Sequence, residues 1–256
     1  MRTALAMQAT GLLSFGLVVW LLGRWPVFEP GMVPFAVALG VLGVISLAAL
    51  YRGLALGPVA VVAPVVASYV VITVILVVIF LGERLTTAQI LAASVVFVGV
   101  VLTSTDAREL RVTLGRPVPG VRIGFVATVG FGLWSAVFAI ATREYSLIPI
   151  ILLLRATSFF FIGTFIASRK IDLHVFRNRT TLLLGTVVGV LDTLANVFFA
   201  LGIGSGYASL AATGTGMYPI VPAVLGMLAL GERLAPNQLV GIGLLVIGLA
   251  TLGAIS

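Results

Sequence analysis

Of 256 residues, 61% are hydrophobic and only 9% charged, against about 25% charged in ordinary soluble domains, which excludes a soluble globular chain. The net charge of +7 would point to nucleic acid in a soluble protein. Here the basic residues fall in short stretches between apolar runs, so they read as membrane orientation and nucleic acid is excluded as a partner. With no cysteine, disulfides, thiolate chemistry and cysteine metal sites drop out.

Apolar runs of about 20 residues, enough to cross ~30 Å of hydrocarbon at 1.5 Å per residue, recur along the whole length. They predict an all-α polytopic membrane protein of about nine spans: 4–22, 33–54, 59–81, 88–105, 123–142, 148–168, 181–201, 207–230 and 237–254. The first run is too long for a signal peptide and continues into Gly23-Arg24-Trp25-Pro26 without a cleavage site, so it is expected to be retained. The third span carries Pro58 and Pro64, and the eighth contains Thr213-Gly214-Thr215-Gly216-Met217-Tyr218-Pro219 and then Pro222. Thr86 with Gln89 fits a capping box before the fourth span, and Pro236 fits the first position of the ninth. Short connections make successive helices antiparallel neighbours. The longest, 106–122, holds Arg108, Arg111, Arg116, Pro117 and Pro119, and is the basic linker between a first half, 1–105, and a second, 123–256.

These halves are related. Leu81-Gly82-Glu83-Arg84-Leu85 returns as Leu230-Gly231-Glu232-Arg233-Leu234 at an offset of 149. The same offset lays Gly40-Val41-Leu42 on Gly189-Val190-Leu191, Tyr69 on Tyr218, Gln89 on Gln238 and Gly99 on Gly248. Such an offset marks internal duplication, and in an apolar chain it points to a transporter built from two related halves. Gln8-Ala9-Thr10 matches Arg155-Ala156-Thr157 at an offset of 147, pairing the first span with the sixth. The fifth span, with Gly132-Leu133-Trp134-Ser135, has no counterpart upstream. The expectation is a ten-helix, five-plus-five ancestor whose first helix is absent here, with a start assigned too late as the simpler cause.

Lysine and arginine counting sets orientation. One face carries Arg2, Arg52, Arg108, Arg111, Arg116, Arg122, Arg169, Lys170, Arg177, Arg179 and Arg233; the other carries Arg24, Arg84 and Arg143. This predicts a cytoplasmic N-terminus and an external C-terminus, in the inner or cell membrane. The two Gly-Glu-Arg-Leu turns then lie on opposite faces, so the repeat is inverted.

Two copies of apolar helix, Gly-Glu-Arg-Leu and apolar helix, with Tyr218-Pro219-Ile220 upstream of the second, resemble the EamA-domain family of the drug/metabolite transporter superfamily. The resemblance covers nearly the whole chain. It implies secondary transport, usually export of amino acids, metabolites or drugs, by ten helices with both termini cytoplasmic. The chain departs in its nine spans and in the side of its C-terminus, and the helix it lacks would line the family's central cavity.

Several residues are candidates for function. The family motif, Gly82, Glu83 and Arg84 with Gly231, Glu232 and Arg233, reads either as a turn whose charges pair locally or as part of the transport machinery. Glycine and proline weaken helices at matching places in the two halves, which is where transport sites are sought. Tyr69, Tyr218 and Trp134 are therefore candidate aromatic walls of a substrate cavity, with Thr213, Thr215 and Asn196 as its polar lining; close helix packing is the alternative. Arg155 and Asp192 lie deep in the sixth and seventh spans at nearly equal depth, where lone charges are costly. They form either a structural ion pair or a coupling site, with Asp192 a proton acceptor should transport be proton-coupled.

Enzymatic readings fare worse. The single histidine, His174, falls in a loop, no cluster has metal-ligand spacing, no nucleophile has an evident base, and no GxxxxGK[ST] loop is present. No cofactor is expected; the expected partners are lipids and a small-molecule substrate. The expected function is a secondary-active exporter of a small metabolite, amino acid or drug-like compound, working by alternating access. The alternative is a non-transporting membrane scaffold or an inactive, truncated family member.

Overall fold

Hydrocarbon offers no partner to a backbone amide, so a spanning chain must satisfy its own. Among the described residues it does so with helices alone. The computed structural model describes residues 2–57, 59–105, 107, 119–168, 179–215 and 234–255. Its helices are α1 (Arg2–Leu21), α2 (Met32–Leu56), α3 (Val59–Ala67), α4 (Tyr69–Leu81), α5 (Thr87–Ser104), α6 (Pro119–Glu144), α7 (Leu147–Ser168), α8 (Arg179–Ser205), α9 (Ala208–Thr215) and α10 (Pro236–Ile255).

Six single helices, α2, α5, α6, α7, α8 and α10, are long and apolar enough to cross a bilayer, as is Val61–Leu81 across α3 and α4; α1 adds the shorter apolar stretch Leu5–Leu21. Leu13, Trp20, Phe80, Phe160 and Phe198 are each more than half exposed. A surface this apolar is covered by lipid tails rather than water. This is an all-α polytopic membrane protein.

Two expected spans need comment. The third is not one rod: it breaks at Ser68 into α3 and α4. Pro64 inside α3 has no N–H to give and crowds the preceding turn, and the chain restarts one turn later. Ser68 Oγ donates to Val65 O at 2.5 Å, and Thr128 Oγ1 of α6 donates to the same carbonyl at 2.7 Å. A neighbouring helix thus satisfies backbone that the break leaves open. Of the eighth span, α9 is described; 216–230 lies outside the described residues, as do Pro58, Pro219 and Pro222. So does most of the linker, 106 and 108–118, together with His174.

The helix ends follow their sequences. Thr86 and Gln89 exchange hydrogen bonds in a complete capping box at the start of α5. At the equivalent start of α10, Gln238 Oε1 accepts from Ala235 N at 2.8 Å, but Ala235 has no hydroxyl to accept a bond in return. Gly82 ends α4 with φ +65°, a left-handed conformation that a Cβ would strain.

The chain divides into two compact units, Met1–Val44 with Val137–Ser205, and Ile45–Ala136 with Gly206–Ser256. In the first, α1 packs on α7 and α8; in the second, α10 packs on α5 and α9 on α4. Within each unit the duplicated residues make reciprocal contacts. Thr10 Oγ1 donates to Gly185 O at 3.3 Å, and its counterpart Thr157 donates to Ala36 O, the carbonyl equivalent to Gly185, at 3.0 Å. Thr157 seats against Gly40, and Thr10 against Gly189.

The second unit repeats the device. A Cβ on Gly99 would stand 2.9 Å from Gly241 O and Leu245 N, and one on Gly248 would stand 3.3 Å from Ala92 O and 3.1 Å from Val96 N. Gly241 and Leu245 are the repeat counterparts of Ala92 and Val96. Gln89, near the start of α5, reaches Ile255 O at the end of α10, and Gln238, near the start of α10, reaches Thr103 O at the end of α5. The two helices are therefore antiparallel. Around their crossing Ala67, Ala92, Val96, Val100, Leu245 and Leu252 form a buried cluster.

Because those contacts are backbone to backbone, no side-chain shift can relieve an added methyl group. Gly99→Ala is expected to lower stability by about 1–3 kcal/mol through overpacking. Gly243→Ala, where a Cβ meets nothing within 4 Å, is the control. Thermal unfolding in detergent checks it; equal melting of both variants would show that the crossing does not depend on glycine.

Candidate functional site

Each unit carries one cluster of sequence-predicted residues. In the first unit the cluster is built on α1, α7 and α8. Arg155 of α7 is 1% exposed, the largest side chain buried to that degree among the described residues. Its Nη1 donates to Asp192 Oδ2 of α8 at 2.5 Å and to Gln8 Oε1 of α1 at 2.9 Å. Gln8 and Arg155 are repeat counterparts, so the two copies of this position touch each other. Asp192 retains 39% of its side-chain exposure, against 2% for Arg155. The pair is thus a buried cation with an acid that reaches the surface of its unit.

Asn196 sits one turn beyond Asp192, but its Nδ2 donates to the main-chain carbonyl of Asp192 at 2.7 Å. That bond lies within α8 and holds the helix rather than the carboxylate. Gly11 keeps α1 close: a Cβ there would stand 2.7 Å from Thr193 Oγ1 and 3.4 Å from Arg155 Nε. The Gln8 link was not evident in the sequence, although the match of Gln8 to Arg155 was the signal that could have found it.

In the second unit the helix break organises the cluster. Tyr69 opens α4, and its hydroxyl lies 3.2 Å from Thr215 Oγ1 at the end of α9. Its ring packs on Phe131 of α6 at 5.9 Å between centroids. Thr73 Oγ1 donates to Tyr69 O at 3.1 Å and approaches Gly132 O at 3.4 Å, so α6 presses against the break. Thr213 is buried, with its hydroxyl bonded back to Ser209 O at 2.9 Å. Trp134 lies on α6, half-buried, with polar or ring partners of its own. Tyr218 lies outside the described residues.

The family motif has a longer reach than its own turn. Glu83 is 8% exposed and accepts from Ala208 N at 2.7 Å, Ser209 N at 3.0 Å and Ser209 Oγ at 2.5 Å. A carboxylate just past α4 therefore caps the N-terminus of α9, 125 residues away, where free amides and the helix dipole favour negative charge. Arg84 beside it is exposed. Gly231, Glu232 and Arg233 lie outside the described residues. With Tyr69–Thr215 at one end and Glu83–Ser209 at the other, α4 and α9 are fastened twice.

These features agree with comparison to known proteins. A model of the EamA-like transporter family matches residues 1–105 and 118–254. A solved crystal structure superposes on all of this chain and 88% of its own, with TM-score 0.73 and 17% identity, which shows a common fold. No curated protein matches the chain.

Glu83→Ala would leave two buried amides and a hydroxyl without this acceptor, at about 1–3 kcal/mol for each orphaned group. Hydrogen exchange at Ala208 and Ser209 is expected to accelerate in that variant and to stay unchanged in Arg84→Ala. Unchanged protection after Glu83→Ala would mean that α9 is held by its other contacts alone.

Proposed function

We propose that this chain, which belongs to the EamA-like transporter family, is a secondary-active exporter of a small metabolite, amino acid or drug-like compound. The observation that carries this reading is reciprocity. Thr10–Gly185 mirrors Thr157–Ala36, and Gly99–Leu245 mirrors Gly248–Val96. Two copies of one supersecondary unit, 1–105 and 123–256 with 106–122 between them, meet through equivalent residues. In such an arrangement each half can take the role the other has just left, so two states lie close in energy. That is the requirement of alternating access between inverted repeats.

Tyr69, Trp134, Thr213 and Thr215 are the substrate-cavity candidates of one unit and Asn196 that of the other, with Tyr218 a further candidate from the sequence. Arg155 and Asp192 depart from the symmetry, since their counterparts Gln8 and Gly43 are uncharged, and an asymmetric charge on a symmetric scaffold suits coupling. Asp192, partly exposed and paired to a buried arginine, is the proton acceptor in this reading. In the first copy of the family motif, Gly82, Glu83 and Arg84, the glutamate fastens a helix end; the second copy, Gly231, Glu232 and Arg233, falls on the opposite face of the membrane in this orientation. The N-terminus is cytoplasmic and the C-terminus external.

Orientation is checked with reporter fusions. Those at Pro117 and His174 are expected to report cytoplasm and one at Ser256 the outside; the opposite signals at all three would invert the topology. Coupling is checked with Asp192→Asn in proteoliposomes across a metabolite panel. Normal folding with loss of proton dependence supports the coupling role. If Asp192→Asn instead loses about 3–5 kcal/mol, as for a broken buried pair, and Arg155→Gln restores folding, the pair is structural. Normal proton-driven transport by both single variants would remove either role.

A further inference from the structure

Arg155 has more donors than the fold employs. Of its three nitrogens only Nη1 is engaged, and it serves both Asp192 and Gln8. Nε and Nη2 are buried and have no hydrogen-bond partner. A buried cation with unpaired donors is costly, and natural interiors seldom leave such groups idle unless they have a use. The unpaired side is chemically specific. Nε and Nη2 together form the fork that grips both oxygens of a carboxylate in parallel, which lysine cannot do.

The neighbours suit an incoming anion. Gln8, half-buried, holds Nη1 through a neutral amide oxygen, so it adds no charge to the site and leaves Nε and Nη2 untouched. Asp192, 39% exposed, stands at the open side of the pair. On the three helices that meet here, the other charged residues are Arg2 and Arg179, the first residues of α1 and α8. Arg155 and Asp192 together are neutral, so one bound carboxylate leaves a net negative charge. A proton on Asp192 removes it.

We propose that Arg155 anchors a carboxylate of the transported molecule through its Nε–Nη2 side, and that the same event loads a proton onto Asp192. No covalent bond changes: the carboxylate and the proton enter as a neutral pair. This rests on the transporter reading above and narrows its substrate to a small carboxylate.

The test uses the purified full chain in nanodiscs. The probes are short-chain monocarboxylates, the neutral amides of the same acids, and inorganic phosphate, read by thermal shift and by proton uptake from weakly buffered solution. Carboxylates are expected to raise the melting temperature and to draw protons in, and the matching amides to do neither. Gln8→Ala, which removes an acceptor from Nη1 and leaves the Nε–Nη2 edge as it is, is expected to keep both responses. Asp192→Asn keeps the thermal shift without proton uptake, and Arg155→Gln loses both. Should Arg155→Gln not fold, the comparison of carboxylates with their amides still decides. The proposal falls if amides match carboxylates, if phosphate alone acts, or if neither the natural chain nor Gln8→Ala responds to any carboxylate. Transport of uncharged or cationic compounds without a carboxylate response would leave the transporter reading standing and remove this one. Carboxylate binding without any transport would do the reverse.

Discussion

Helices in hydrocarbon gain nothing by hiding apolar side chains from a solvent that is itself apolar, so they are held by close packing and by hydrogen bonds. In this chain that constraint falls on a few small residues. Gly99 and Gly248 bring α5 and α10 to backbone contact, and Gly40 and Gly189 each receive a threonine from the helix opposite. Each contact exists twice because each residue exists twice. The duplicated sequence is thus more than a relic of ancestry: it supplies both sides of the interfaces that join the halves.

Departures from that symmetry locate the parts that differ in task. The capping box of α5 is complete and its copy at α10 is half-made, because threonine has become alanine at position 235. Nothing about function need follow from that. Arg155 is different. It faces its own counterpart, Gln8, at 2.9 Å, and a second arginine at Gln8 would set two cations together in low dielectric. Only one half carries the charge, and Asp192, which balances it, comes from that same half.

Much of the fold was legible because a membrane leaves few choices. Runs of the right length had to be helices, and the span ends fell within a few residues of the observed ones, with Pro236 opening α10 and Thr86 and Gln89 opening α5. The break at Ser68 was only half legible. Pro64 announced a weak point, but where the chain restarts depends on Thr128 of α6 accepting the role of donor to Val65, a contact between residues 63 apart. Glu83 was less legible still. Its local sequence describes a charged turn, and nothing in it names Ala208 and Ser209 as the groups it caps. Counting residues along two helices placed Arg155 and Asp192 at one depth, but it could not tell that one guanidinium nitrogen would serve both Asp192 and Gln8 while two stayed unpaired.

The two fastenings of α4 to α9 also explain why a break can be kept so near the centre of a span. A proline costs a helix its local hydrogen bonds, and an unsecured break would let α4 swing about Ser68. Tyr69, the first residue past the break, is tied to Thr215 by its hydroxyl and to Phe131 by its ring. The far end is tied by Glu83 to amides that would otherwise stand free. Between its ends α4 carries one polar side chain, Thr73, so its register depends on Tyr69 at its start and on Glu83 just past Leu81. The specificity comes from the ends, so the middle can be smooth.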